Sequence, residues 1–149
     1  MQDIRFYHLT QQTLEQALPK LMVKVIGVGM RALVKVPDKT YMDTLDKVLW
    51  DFDPASFILH DKDGSSYPGD QNIFLTLNDD NVNQSDIIVL VDNMMIDDFS
   101  AYKRCLYMFD GRNEVIVSKA REHWKKFKDS DTDMSYWQQT EFGGWEQKA

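Results

Sequence analysis

Cysteine occurs once in 149 residues, at Cys105, so no intramolecular disulfide framework exists and a reducing compartment is expected. Proline (four) and glycine (seven) are sparse and no tract is biased, which argues against disordered and fibrous architectures. No apolar run approaches the ~20 residues that span a bilayer. The start, Met1-Gln2-Asp3-Ile4-Arg5, lacks the basic and then apolar regions of a secretory signal. A soluble cytoplasmic protein with no membrane partner is therefore expected. Positive charge is also in deficit. A net charge of −7 argues against general duplex binding, which relies on counterion release by many Lys and Arg. What remains is a chain 43% apolar and 12% aromatic, of a length that forms one domain with a real core.

Residues 4–9 are short, aromatic and β-branched, and predict a first strand. Thr10 offers a helix cap, and Leu14, Leu18, Leu21, Met22 and Val25 follow at helical spacing. Pro19 inside that pattern predicts a kink, or a helix that begins near it. Residues 32–36 predict a second strand, and Asp38 caps a second helix with Met42, Leu45, Val48, Leu49 and Phe52 on one face. This β-α-β-α opening predicts parallel strands with right-handed crossovers. Apolar runs at 57–59, 73–77 and 87–91 follow, joined by stretches too short for crossover helices, so antiparallel pairing is expected there. Residues 96–101 predict one helical turn and 104–109 another strand. Asp110-Gly111 is a turn, 113–128 an amphipathic helix, and an aromatic tail begins at about 134. No internal repeat or linker divides the chain, so residues 1–149 are expected to form one domain. The expected class is α/β: a mixed, mostly parallel sheet flanked by helices, with Rossmann-like, mononucleotide-binding topology.

That opening makes a nucleotide-binding enzyme the alternative reading, yet its motifs are missing. The turn after the first strand, Leu9-Thr10-Gln11-Gln12, has no glycine to admit a pyrophosphate. Gly27-Val28-Gly29 lies at the end of the first helix and reads as a C-cap, and no Walker-type loop occurs. His8, His60 and His123 fall on separate elements and Cys105 has no cysteine partner, so neither metal nor cofactor is expected. Asp61-Lys62-Asp63-Gly64 lacks the further ligands of a calcium loop and reads as a solvated turn. The adjacent pairs Asp79-Asp80 and Asp97-Asp98 make no acid/base couple. No catalytic set is expected.

Charge is concentrated in one place. Between Arg112 and Lys128, six basic residues face only Glu114 and Glu122, giving +4 and leaving −11 elsewhere. At 100° per residue, Ile116, Ala120, His123 and Phe127 share one face, the expected core side. Arg121, Lys125 and Lys128 lie about a third of a turn away, with Val117 and Trp124 between the two faces. One reading is a solvated surface whose cations favour the helix C-terminus. Another is a dock for an acidic peptide with an apolar anchor, in which Arg supplies a bidentate carboxylate contact. A single-strand nucleic-acid groove would combine stacking with phosphate neutralisation, but one stripe on an acidic chain gives weak contact at most.

Several motifs then fall in order along the chain: Phe6-Tyr7-x-Leu9, Leu18-Pro19-Lys20-Leu21, Gly29-x-Arg31, Leu45-Asp46-x-x-Leu49-Trp50 and Phe57-Ile58-Leu59-His60. Ala120-Arg121-Glu122-x-Trp124-Lys125-x-Phe127-Lys128 completes the set. In order and spacing the chain resembles the chi-subunit family of bacterial DNA polymerase III holoenzyme. Tyr136-Trp137-Gln138-Gln139 and Gly143-Gly144-Trp145 are similar to the version found in alphaproteobacterial members. The resemblance implies a non-catalytic accessory subunit of DNA replication. It implies that the clamp-loader complex is linked, through a psi partner, to single-stranded DNA-binding protein, and in some bacteria pairing with a repair helicase. The tail that the family recognises is acidic and ends in an apolar residue with a free carboxylate. By motif, Arg121, Trp124 and Lys125 match the tail-binding positions; Val117 and Lys128, from the helix geometry, complete the expected peptide site. Trp124 stands where other members have tyrosine, and Leu59 where a proline often precedes the histidine. Trp50 and Phe57 are either core residues or a second interface.

Overall fold

The computed structural model describes residues 3–52, 58–130 and 132–149. In chain order the elements are β1 (Asp3–Leu9), α1 (Leu14–Gly27), β2 (Ala32–Lys35), α2 (Lys39–Asp51), β3 (His60–Lys62) and β4 (Ile73–Thr76). Then come β5 (Ile87–Val91), β6 (Arg104–Asp110), α3 (Glu114–Lys128), β7 (Asp133–Gln139) and β8 (Trp145–Gln147). One eight-stranded sheet runs β3-β4-β2-β5-β6-β1-β7-β8. Every pairing is parallel except β7 with β8. This is an α/β domain with helices on both faces of a mostly parallel, Rossmann-like sheet.

Side chains alternate across the pleat. Tyr7, Leu9, Val34, Leu106 and Met108 pack with α1 and α2 on one face. Ile4, Phe6, Leu33, Ile88, Cys105, Tyr107 and Phe109 pack with α3 on the other. With both faces covered, the central strands read as unbroken apolar runs.

The helix starts follow from local chemistry. Asp38 caps α2 through the Tyr41 amide, and Asn113 caps α3 through the amides of Val115 and Ile116. The cap of α1 is Thr13, three residues beyond the expected Thr10, because Gln16 completes a reciprocal capping box with Thr13. Thr10 instead donates its hydroxyl to the Gln139 carbonyl. Pro19 lies well inside α1 and is buried, so the helix neither starts nor stops there. At the far end the Met30 amide reaches the Val25 carbonyl and the Gly29 amide reaches Ile26. Gly29 takes φ +76°, the left-handed stop for which glycine is favoured.

As expected, β1 and β2 run parallel, with β5 and β6 lying between them. Two expectations need correction. First, β3, β4 and β5 are parallel rather than antiparallel. A four-residue strand is only ~13 Å long, and a ten-residue loop, extended to ~33 Å, returns to its start without a helix. Of the expected strand at 57–59, Phe57 lies outside the described residues and Leu59 precedes β3. Second, residues 96–101 form no helix; turns there carry Ile96 and Tyr102 into the core beneath α3. The segment from Asp133 adds β7 to the β1 edge, and β8 folds back on β7.

Candidate functional site: the basic face of the third helix

Helix α3 is seated on the sheet by Ala120, His123 and Phe127, the face that periodicity assigned to the core. A polar lock fixes its rotation. The Tyr107 hydroxyl donates to His123 Nδ1 at 2.5 Å and accepts from Asn93 Nδ2 at 2.8 Å, while Asn93 Nδ2 also reaches the Ile116 carbonyl at 3.2 Å. Burial pushes the Tyr107 hydroxyl up to about 12, so it stays a donor.

With the helix held this way, Arg121, Lys125 and Lys128 stand exposed along one side. None of them has an ion-pair partner among the described residues, whereas Lys119 is within 3.6 Å of Glu122. Val117 and Trp124 are half-buried against the core of the same face. Val117, Arg121 and Lys125 are spaced i, i+4, and Trp124 with Lys128 forms the neighbouring row. The Trp124 ring meets Phe6 edge-on (centroids 5.2 Å) and Tyr136 edge-on (5.6 Å). All five residues expected at the site therefore lie on one ridge, where free cations border half-covered apolar surface.

Two further residues border this ridge that sequence reasoning did not assign to it. Tyr136 on β7 hydrogen-bonds His8 Nδ1 on β1 at 2.6 Å. Arg121 bears electrostatically on both. Burial, and then the Arg121 charge, hold His8 below its ordinary value against a hydrogen bond to the Gly111 backbone. Burial raises the Tyr136 hydroxyl and Arg121 opposes the rise. Neutral His8 thus accepts at Nδ1 and keeps its proton at Nε2. The Phe6-x-His8 alternation does put His8 on the α3 side, but nothing in the sequence set β7 beside β1.

The other motifs maintain the fold. Leu18, Leu45 and Leu49 are core residues, and Arg31 Nη1 staples two loops through the carbonyls of Gly69 (2.6 Å) and Asn83 (3.1 Å). His60 bonds the Ile58 carbonyl and Asp46, so all three histidines are engaged within the chain. Trp50 is 60% exposed with its ring 5.0 Å from that of His60.

The loop after β1, where a Rossmann enzyme receives phosphate on free backbone amides, is filled from within. The amides of Thr10, Gln11 and Gln12 all donate to Gln139 Oε1, at 3.3, 2.9 and 3.0 Å. Nearby, the charges of Glu15, Asp92 and Asp110, after burial, raise the Tyr41 hydroxyl. These carboxylates oppose an incoming phosphate.

His8 and His123 set a pH dependence. Burial first, then neighbouring cations, lower His123 as they lower His8. An unfolded histidine titrates near pH ~6.5, so between that value and the lower folded ones the unfolded chain binds more protons. Stability is complete above pH ~6.5 and is lost as pH falls below it. Thermal melts should show this acid-side fall, and it should be shallower when His8 and His123 are replaced by Gln. An identical slope in that double variant would refute the assignment.

Among the described residues, no helix is long and apolar enough to cross a membrane. Residues 1–135 match the family described as DNA polymerase III chi subunit, HolC. A curated relative, the "Probable DNA polymerase III subunit chi" of Rickettsia prowazekii (strain Madrid E), is 22% identical over 156 aligned positions, covering 100% of this chain and 93% of the relative. The family match extends through β1, where Phe6 and His8 lie, and through all of α3, so the basic ridge falls inside it; the chain belongs to the DNA polymerase III chi subunit family.

Proposed function

We propose that this chain is a non-catalytic accessory subunit that binds the acidic C-terminal tail of single-stranded DNA-binding protein on α3. In this reading it links that protein to the clamp-loader complex in the cytoplasm, through a psi partner where one exists, and serves a repair helicase in the same way. One observation carries the proposal: Arg121, Lys125 and Lys128 are exposed and unpaired among the described residues, beside half-buried Val117 and Trp124. Arg121 offers a fork for a carboxylate, and the two lysines offer point charges for further acidic residues. Val117 and the Trp124 ring cover the apolar end of the tail. A short acidic peptide can stay within this basic patch, whereas a nucleic-acid strand extends beyond it over a surface that carries −11 outside the stretch from Arg112 to Lys128.

The test is a titration of a labelled acidic peptide ending in an apolar residue with a free carboxylate. Arg121→Ala or Lys125→Ala should weaken binding about tenfold each, equivalent to ~1.4 kcal/mol, with Lys119→Ala unchanged. Affinity should fall as salt rises, because exposed charges are screened. Unchanged affinity in both ridge variants would reject the site.

A further inference from the structure

The hairpin between β7 and β8 carries the barest large apolar side chain among the described residues. Phe142 is 91% exposed. Its position is not a product of a loose loop. The Gly143 amide bonds the Thr140 carbonyl at 3.0 Å, the Thr140 amide bonds the Gly144 carbonyl at 2.8 Å, and the Gly144 amide bonds Thr140 Oγ1 at 3.1 Å. Gly143 closes the three-residue tip with φ +84°. The ring is thus held out in water on a pre-organised turn, which lowers the ordering cost of inserting it elsewhere.

Beside the same turn, on the face opposite α3, lies a cavity of about 620 Å³. Leu21, Phe52 and Trp145 supply its apolar lining, and Lys20 and Lys24 stand on its edge. Both lysines are exposed and neither has an ion-pair partner among the described residues. The Trp145 ring is fixed there edge-on to Tyr7, with centroids 5.0 Å apart.

We infer that this cavity receives Phe142 from a second copy of the chain, with Glu141 of the incoming hairpin paired to Lys20 and Lys24. The incoming sequence is an acid followed by an aromatic; the socket is apolar with two unpaired cations at its edge. Plug and socket also share one hairpin, since Gly143, Gly144 and Trp145 line the cavity directly after Phe142. A two-fold axis at the tips therefore lets each copy fill the other, an isologous contact that closes at two. The exchange lies across the sheet from α3 and leaves Arg121 and Trp124 free, so it stands or falls separately from the proposed function.

Sedimentation of the full chain over a concentration series tests it. The wild type should pass from monomer to twice the monomer mass. Phe142→Ser, and separately Lys20→Glu with Lys24→Glu, should each raise the dissociation constant at least tenfold while far-ultraviolet circular dichroism and α3 peptide binding stay unchanged. Adding Glu141→Lys to the reversed lysines should restore association. A wild type that stays monomeric up to roughly 1 mM, or a dimer indifferent to both sets of changes, overturns the inference.

Discussion

Phe6→Ala is expected to be among the most damaging single substitutions in this chain, costing about 3–5 kcal/mol. Phe6 is fully buried on β1 and sits at the centre of the aromatic layer beneath α3. Its ring stacks on Tyr107 at 4.4 Å and lies at an angle to Phe109, Phe127 and Trp124. Tyr136 is near-parallel to it at 6.4 Å. These neighbours come from β6, α3 and β7, so no single element can move to fill the space left by alanine. Interiors are close-packed and relax only in part, and a cavity term therefore adds to the lost transfer energy. At roughly 2–4 °C per kcal/mol for a domain of this size, the melting temperature should fall by about 10 °C. Phe6→Leu keeps most of the volume and should cost much less, within ~1.5 kcal/mol. Denaturant melts of the two variants, with near-ultraviolet circular dichroism to report aromatic packing, decide the matter. A Phe6→Ala loss no larger than that of Phe6→Leu would mean that the ring layer is not what seats α3.

That expectation depends on tertiary contacts between elements of very different legibility. Helix α3 was readable to within a residue, because its period, its Asn113 cap and its charge asymmetry agree. The buried trio Ala120, His123 and Phe127 followed from the same period, and so did the row carrying Arg121 and Lys125. Asp38 was equally legible, since an Asp before an amphipathic run has one physical use. Thr10 fails as a cap because Gln16 selects Thr13, three residues on, by completing a reciprocal capping box with it. The parallel pairing of β3, β4 and β5 was hidden for a different reason. Loop length constrains topology only relative to strand length, and β3 and β4 have only three and four residues. The wall of the site was least visible, as β7 joins β1 across about 130 residues of chain separation. Tyr136 and His8 each look ordinary in sequence. Only their hydrogen bond beside Arg121 makes them part of one surface.

Gly111 shows how much such a surface depends on a residue that sequence reads as a plain turn. The Gly111 amide donates to the Leu9 carbonyl at 2.7 Å, drawing the end of β6 against the end of β1. A Cβ at this position would fall 1.9 Å from His8 Nε2 and 2.6 Å from the Leu9 carbonyl oxygen. Neither neighbour yields easily. His8 is held by the Tyr136 hydroxyl on one side and packs on Phe109, with ring centroids 4.9 Å apart, while the Leu9 oxygen is backbone. Gly111→Ala should therefore cost about 2–4 kcal/mol, combining overpacking with a broken buried hydrogen bond. Because the displaced imidazole releases Tyr136, and Tyr136 supports Trp124, affinity for an acidic tail peptide should fall several-fold with Arg121 untouched. Adding His8→Ala to Gly111→Ala removes the nearer clash but leaves the Leu9 oxygen in the way. The pair should then be more stable than the sum of the single losses by about 0.5–3 kcal/mol, without recovering the wild-type value. Strict additivity of the two changes would show that alanine at 111 is accommodated without displacing His8, and that the turn and the ridge are independent.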